Sequence, residues 1–394
     1  MSTRYLTIDG HSRGYYLMLA GLALVTLIGV LAAHHMEVAG HFVTGMNNQV
    51  VWGIPHVFAV FLIVAASGAL NVASMGSVFG KSQYKSMGRL SGLLAMALLL
   101  GGLVVLVLDL GRPDRLIIAM TTYNFKSIFA WNIFLYTGFL FIVAVYLWMM
   151  FEPRMNRFAA TAGKTAFAWR FILTTGTGSI FGFLVARQAY DAAIMAPMFL
   201  LMSLSYGTAV FMLVVCAVDR WADRKLDDQS LHRMKRLLGL FVMAVLYFVL
   251  VYNLTNLYAT EHHGVERFIL LDGGVFTFLF WWIQIVVGSL VPLLLFYLPR
   301  FNTRGFTLLG CALVIVGGFA QLYVIIIGGQ AYPMDIFPGM EVSSSFQDGV
   351  VGSYSPSIPE SLLGLGGIAL AMLVTVIAIK VLPFIPERFG EKPA

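Results

Sequence analysis

His56 follows Trp52 by four residues in the stretch VVWGIPHVFAV, at the start of a long apolar run. Four residues is about one helical turn, so the indole and the imidazole share a face. An imidazole at that depth is costly unless it meets protein or water. It can bond a polar head group and exchange a proton with it, or simply bond a neighbouring carbonyl. Asp109 ends another apolar run in VLDLGRPDR, with Arg112, Asp114 and Arg115 close behind. Gly111 and Pro113 stop a helix there. This cluster reads as an ion-pair staple, or as an anchor for an acidic partner or polar ligand. In FLVARQAYDAAI, Arg187 and Asp191 are four apart, so on a helix they share a face and can pair. Such a pair can be structural, can gate a head-group pocket, or can relay protons.

The segments that carry these residues decide their solvent. Ten apolar stretches, near 14–33, 51–79, 91–110, 128–151, 166–190, 194–218, 237–258, 272–298, 306–327 and 362–383, are each long enough to cross a bilayer. A crossing helix needs ~20 mostly apolar residues. With 59% hydrophobic and 11% charged residues and a mean hydropathy of +0.84, a soluble globule is excluded. No alternating barrel pattern is present, and lipid cannot satisfy open backbone groups, so the segments must be helices. The expected fold is an all-α integral membrane protein, a single polytopic domain over 1–394.

Arg112, Arg115, Lys126, Arg187 and Arg267 are the only five of 25 Lys and Arg assigned to odd loops; the rest are assigned to the termini and even loops. The positive-inside rule then puts both ends in the cytoplasm, which an even number of spans requires. The pI of about 9.3 reflects this topology and gives no reason to invoke nucleic acid. The first apolar run is too long for a cleaved leader and lacks a good A-x-A site. The outer loops carry the Trp, Tyr, His and Asn, and 328–361 has no Lys or Arg. The outer face is therefore read as the working face. The cytoplasmic loop 219–236 is read as a solvated loop, with partner docking as the alternative.

Several cofactors fit poorly. Two cysteines, Cys216 and Cys311, both inside spans, cannot ligate an Fe–S cluster and read as core residues. A haem pair needs inward histidines on two or more helices, and His56 alone qualifies. No H-x-x-E-H-like spacing points to a metal. Mid-membrane carboxylates are missing, and the deep polar residues read as neutral: Asn71, Thr174, Thr175, Thr177, Gln284 and Gln321. Gly178 and Gly182, with Gly101 and Gly102, permit close helix packing. His, Tyr, Arg and Asp at a lipid boundary suit a quinone, which needs an apolar slot, donors for two carbonyl oxygens and a proton route.

Trp52-x-x-x-His56, LDLGRPDR at 108–115, TYNFKSIFAW at 122–131, GSIFGFLVARQAYDAAIMAP at 178–197 and FWWIQIVVGSLVPLLL at 280–295 together resemble the NrfD/polysulfide-reductase membrane-subunit family. The likeness runs over spans two to nine. Within the family, the layout and first 130 residues are most similar to the DsrP type, from the DsrMKJOP membrane complex of dissimilatory sulfur metabolism. The resemblance implies two four-helix bundles, 51–190 and 194–327, with peripheral helices at 14–33 and 362–383. It implies a bacterial or archaeal cytoplasmic membrane, and quinone (menaquinone or ubiquinone) bound near the outer face without haem or Fe–S in this chain. It also implies a periplasmic ferredoxin-like Fe–S partner of the DsrO kind beside DsrM-, DsrK- and DsrJ-like subunits. His56 matches the family's quinone-contacting histidine, and Asp109 and Arg112 its Asp-x-Gly-Arg-Pro turn. Tyr123, Arg187 and Asp191 join them by position. His56 and Asp191 would exchange protons, while Arg112, Arg187 and Tyr123 orient the head group or pair the acids. Gly53 stands where relatives can carry Asn, and Gln284 where several have an acid. The rival readings are a secondary transporter and a passive anchor for redox subunits.

Overall fold

The computed structural model describes residues 4–222, 226–334 and 349–389. Residues 335–348, the centre of the cation-free 328–361 segment, and 223–225 of the 219–236 loop lie outside them. Ten long helices dominate: α1 (Arg13–Ala39), α2 (Ile54–Ser77), α3 (Gly88–Leu108), α4 (Ile128–Phe151), α5 (Ala159–Gly182), α6 (Met195–Ala222), α7 (Asp228–Tyr258), α8 (Val275–Tyr297), α9 (Arg304–Ala331) and α10 (Ile358–Val381). Nine of these are apolar and long enough to cross a membrane among the described residues. The protein is an all-α, multi-pass integral membrane protein.

α5 is the exception in composition. Its 24 residues reach ~36 Å, ample for a crossing. It falls short on hydropathy because it carries Lys164, Arg170 and a run of Thr and Gly. It still packs between α4 and α6, so protein contacts replace much of its lipid exposure. Arg170 stands mid-helix and only 2% exposed, which corrects the reading that the deep polar residues are neutral. A span that starts near 166 puts Arg170 at its edge; the helix starts a full two turns earlier and carries the charge inward.

α2 sits at the centre. It packs on α3, α5, α6, α9 and α10, and its apolar window is completely buried. A helix apolar all round belongs in such a place. α6 meets α2, α5, α7 and α9; α8 packs on α9; α1 packs on α10. Small residues set the closest crossings. A Cβ on Gly207 would lie 2.2 Å from Ala69 N, and one on Gly178 would lie 2.7 Å from Met195 O, so neither crossing admits a side chain. Cys216 and Cys311 are buried and unbridged.

Segments near the two ends of the described chain meet. A two-residue strand β1 (Tyr5–Leu6) pairs antiparallel with β2 (Ile385–Pro386), and Ile8 N donates to Ile379 O. The described N-terminal and C-terminal segments therefore lie at one face, as an even number of crossings would place them.

Candidate functional site

α2 begins after Gly53, with Pro55 in its first turn, where the missing N–H costs nothing. That turn aims His56 at the end of α3. His56 Nδ1 lies 2.8 Å from Asp109 Oδ2. Asp109 caps α3, its own N–H still bonded to Val105 O. The acid side chain is 1% exposed and the imidazole 18%, so the acid lies inside and the ring at the rim. Asp109 Oδ1 is buried and has no partner among the described residues. With Nδ1 engaged by the carboxyl, Nε2 is the nitrogen left to meet a ligand.

Trp52 stacks on the imidazole, ring centroids 5.9 Å apart and planes 21° apart. It also touches Phe129 at the head of α4 and Phe181 near the end of α5. An aromatic wall thus flanks one face of the histidine. Tyr123 stacks on Phe134 at 4.2 Å, half-buried in the cluster with Phe125 and Trp131 that leads into α4. It shares the α4 head with Phe129.

The expected partners of the pair differ. Arg112 does not staple Asp109. It forms a two-pronged pair with Asp114 (3.0 and 2.9 Å), both well exposed, because the Gly111–Pro113 turn carries it out to the surface. Arg187 and Asp191 do not share a helix face. α5 ends at Gly182, and 183–194 follows as a series of turns, for example Leu184 N to Phe181 O and Tyr190 N to Arg187 O. Asp191 is exposed and forms no ion pair among the described residues.

Arg187 turns inward instead. Its guanidinium donates to Gln330 O and Gln49 O, each at 2.9 Å. Gln330, 1% exposed at the end of α9, completes a clamp on the approach to α2. Its Oε1 accepts from Val51 N and Trp52 N, both at 3.0 Å, and its Nε2 donates to Trp52 O and Ile326 O. A second clamp holds the same corner. Glu360 is fully buried and accepts from Gly45 N, Ser357 N and the Tyr354 hydroxyl; that hydroxyl also accepts from Ile54 N. A Cβ at position 53 would lie within clashing distance of Glu360 Oε1, so this corner requires glycine.

Gln330, Gln49, Tyr354 and Glu360 are parts of the site that the sequence reading misses. Glu360 has a local signal, the Ser357-x-x-Glu360 capping box, and both halves of the box form. The His56–Asp109 contact has none, since 53 residues separate the partners.

Known proteins are similar to this chain in sequence. The family model described as "Polysulphide reductase, NrfD" matches residues 42–334, most of the chain. The integral membrane subunit of an Hdr-like menaquinol oxidoreductase from Archaeoglobus fulgidus is 29% identical over 401 residues, covering 100% of this chain and 99% of the relative. The integral membrane subunit of a menaquinone reductase from Nitratidesulfovibrio vulgaris is 22% identical, covering 91% and 89%. Protein NrfD from Escherichia coli is 24% identical, covering 72% of this chain and 96% of the relative. The matched span contains His56, Asp109, Arg187 and Gln330, and with it the chain belongs to the NrfD/polysulphide reductase family of integral membrane subunits.

Proposed function

We propose that the chain is the quinone-interacting subunit of a redox complex in the cytoplasmic membrane, with the head group at the His56 edge. The single observation that carries this is the His56–Asp109 pair: a rim imidazole with one nitrogen held by a buried acid and the other left for a ligand. The menaquinol and menaquinone enzymes to which the relatives belong support a quinone-linked complex. The residues fit the group. Trp52 and Phe129 offer apolar ring faces, and Asp109 Oδ1 is a buried acceptor without a partner among the described residues. The Lys and Arg asymmetry of the sequence supports the outer side of the membrane for this edge.

A quinone–quinol pair exchanges two electrons and two protons when bound. The protein's share is positional and protonic. His56 Nε2 holds or takes the head-group proton, and Asp109 fixes the ring orientation. Trp52 limits water at one face of that ring. Arg187 acts through Gln330, holding the backbone at residues 51 and 52 on which Trp52 rides. Asp191, exposed near this corner, would pass protons to the aqueous phase, and Tyr123 would line the α4 side. Arg112, paired with Asp114 at the surface, would meet a partner subunit. Electrons would pass to a periplasmic ferredoxin-like Fe–S partner. The finer assignment is the DsrP role in a DsrMKJOP-type complex of sulfur metabolism, with 51–190 and 194–327 acting as two four-helix bundles.

The test is quinone extraction from the purified complex beside a His56→Ala variant, with quinol-linked dye reduction on the same samples. Quinone present in the parent and lost in the variant, with electron transfer falling together, is the expected result. Equal quinone content and equal turnover in both would remove His56 from the site. Arg170, a mid-membrane charge, is the observation that favours the transporter reading. Solute uptake by the subunit in liposomes would support that alternative.

A further inference from the structure

The start of α7 lies at the face that carries both terminal segments, where Asp227 N donates to Phe389 O. The Lys and Arg asymmetry supports the cytoplasmic side for that face. His232, Lys235 and Arg236 are spaced there by three and four residues, so they share one side of the helix. The connection between α8 and α9 meets them. Lys235 Nζ donates to Asn302 Oδ1 at 2.7 Å, and His232 stands beside Lys235, Arg236 and Asn302. Arg300, two residues before Asn302, is exposed, as is Arg236.

A cation that only marks topology can sit in open water. This cluster is built differently. Lys235 is 2% exposed, and its ammonium, with three donors, makes that single hydrogen bond to a neutral oxygen among the described residues. His232, Lys235, Arg236 and Arg300 form no ion pair among the described residues. The acids near them are engaged or turned to water. Asp219 pairs with Arg304 and accepts from Leu226 N, Asp227 caps α7, and Asp228 is exposed in its first turn. A buried cation without an anion is costly, and an anion brought to it offsets that cost.

Apolar surface continues from the cluster into the bilayer. The Tyr297 hydroxyl donates to Arg236 O at 3.1 Å, and a Cβ on Gly239 would lie 2.6 Å from the Tyr297 ring, so the end of α8 lies against α7. Beyond that contact, Leu240 and Met243 of α7 and Leu294 of α8 are exposed. The apolar run of α7 starts near 237, so the cations stand at head-group level and these side chains at acyl level.

We propose that the α7–α8 junction is a binding site for an anionic phospholipid of the cytoplasmic leaflet. Its phosphate sits between Arg236 and Arg300 with Lys235 behind it, and its acyl chains run along Leu240 and Leu294. The site stands independently of the quinone reading.

The full-length protein in detergent is titrated with phosphatidylglycerol and phosphatidylcholine of matched acyl chains, and bound lipid is counted by native mass spectrometry. The parent should retain phosphatidylglycerol in preference. Arg236→Gln and Arg300→Gln should each weaken that retention about fivefold, the worth of one cation at an anionic lipid surface, and leave phosphatidylcholine unchanged. Arg236→Lys and Arg300→Lys keep the charge and should retain most of it, which separates lost charge from a disturbed fold. Arg154→Gln with Arg157→Gln removes two cations from the α4–α5 connection at the same face and should change nothing. Equal retention of the two lipids by the parent overturns the site. So does an equal loss from the Arg154/Arg157 pair, which would make net charge the cause. Displacement of the bound lipid by inorganic phosphate would make this a soluble-anion site and overturn the lipid.

Discussion

Asp109 Oδ2 and His56 Nδ1 lie 2.8 Å apart across two helix ends, the acid buried and the imidazole at the rim. The order matters chemically. A carboxyl behind an imidazole fixes which ring nitrogen is engaged and how the ring is turned, and leaves Nε2 at the rim for a ligand.

The pair can be split by substitution. His56→Ala should lower quinol-linked turnover by about 100-fold, the low end of what a positioned acid–base group contributes. Asp109→Asn keeps the shape and a hydrogen bond but removes the charge. It should cost less in turnover than His56→Ala, and the double variant should be no worse than His56→Ala alone. Steady-state turnover of the four proteins with a soluble quinol checks this. Additive losses in the double variant would mean that Asp109 acts independently of His56.

Gln330 is the joint between α9 and the approach to α2. Its side chain satisfies the backbone N–H groups of Val51 and Trp52. Gln330→Leu leaves both donors without it, at about 1–3 kcal/mol for each if they stay buried. The melting temperature in detergent should fall, and quinone affinity should fall with it, because Trp52 loses its anchor. Gln330→Glu keeps the acceptor oxygens and should rescue part of both. If Gln330→Leu melts like the parent, the clamp is not what holds this corner.

Much of this corner is legible locally. Trp52, His56 and Pro55 declare a helix start at a membrane boundary, and Ser357-x-x-Glu360 declares another. The ten helices follow from apolar length, and α5 follows despite its polarity. What the sequence does not carry is pairing across distance. Asp109 has Arg112 three residues away, yet its partner is His56, because the Gly111–Pro113 turn throws Arg112 outward. Arg187 and Asp191 have helical spacing, but α5 stops at Gly182, before either of them, so the spacing loses its meaning. Arg187 meets backbone carbonyls, which no residue pattern advertises.

Arg170 is buried mid-helix without an ion pair among the described residues. Its guanidinium donates to Ser67 O at 3.2 Å, reaches Asn71 Oδ1 at 3.4 Å, and lies over the Phe171 ring at 4.5 Å; its Nε has no partner among the described residues. Those contacts are thin for a charge whose insertion at a helix centre costs ~2.5–3.5 kcal/mol. Arg170→Met fills a similar volume without the charge and should melt no lower than the parent. A clearly lower melting temperature would show that the carbonyl and ring contacts outweigh the desolvation. Turnover measured on the same variant separates a functional charge from a structural one: loss of turnover in a protein of undiminished stability assigns the charge to function.

Glu266 gives the stability a pH dependence with a definite sign. Its carboxyl is raised by burial, and Asn256 opposes that only in part. A group whose folded pKa exceeds its unfolded value contributes stability that is full below the unfolded value and is lost as pH rises through the folded one. Ordinary glutamate titrates near ~4.3, so the loss runs upward in pH from there. Relative to Glu266→Gln, which cannot ionise, the parent should lose melting temperature as pH rises from weakly acid to alkaline. The comparison cancels every other titrating group that the two proteins share. Parallel melting curves for parent and variant across that range would mean that Glu266 is solvated enough to ionise freely.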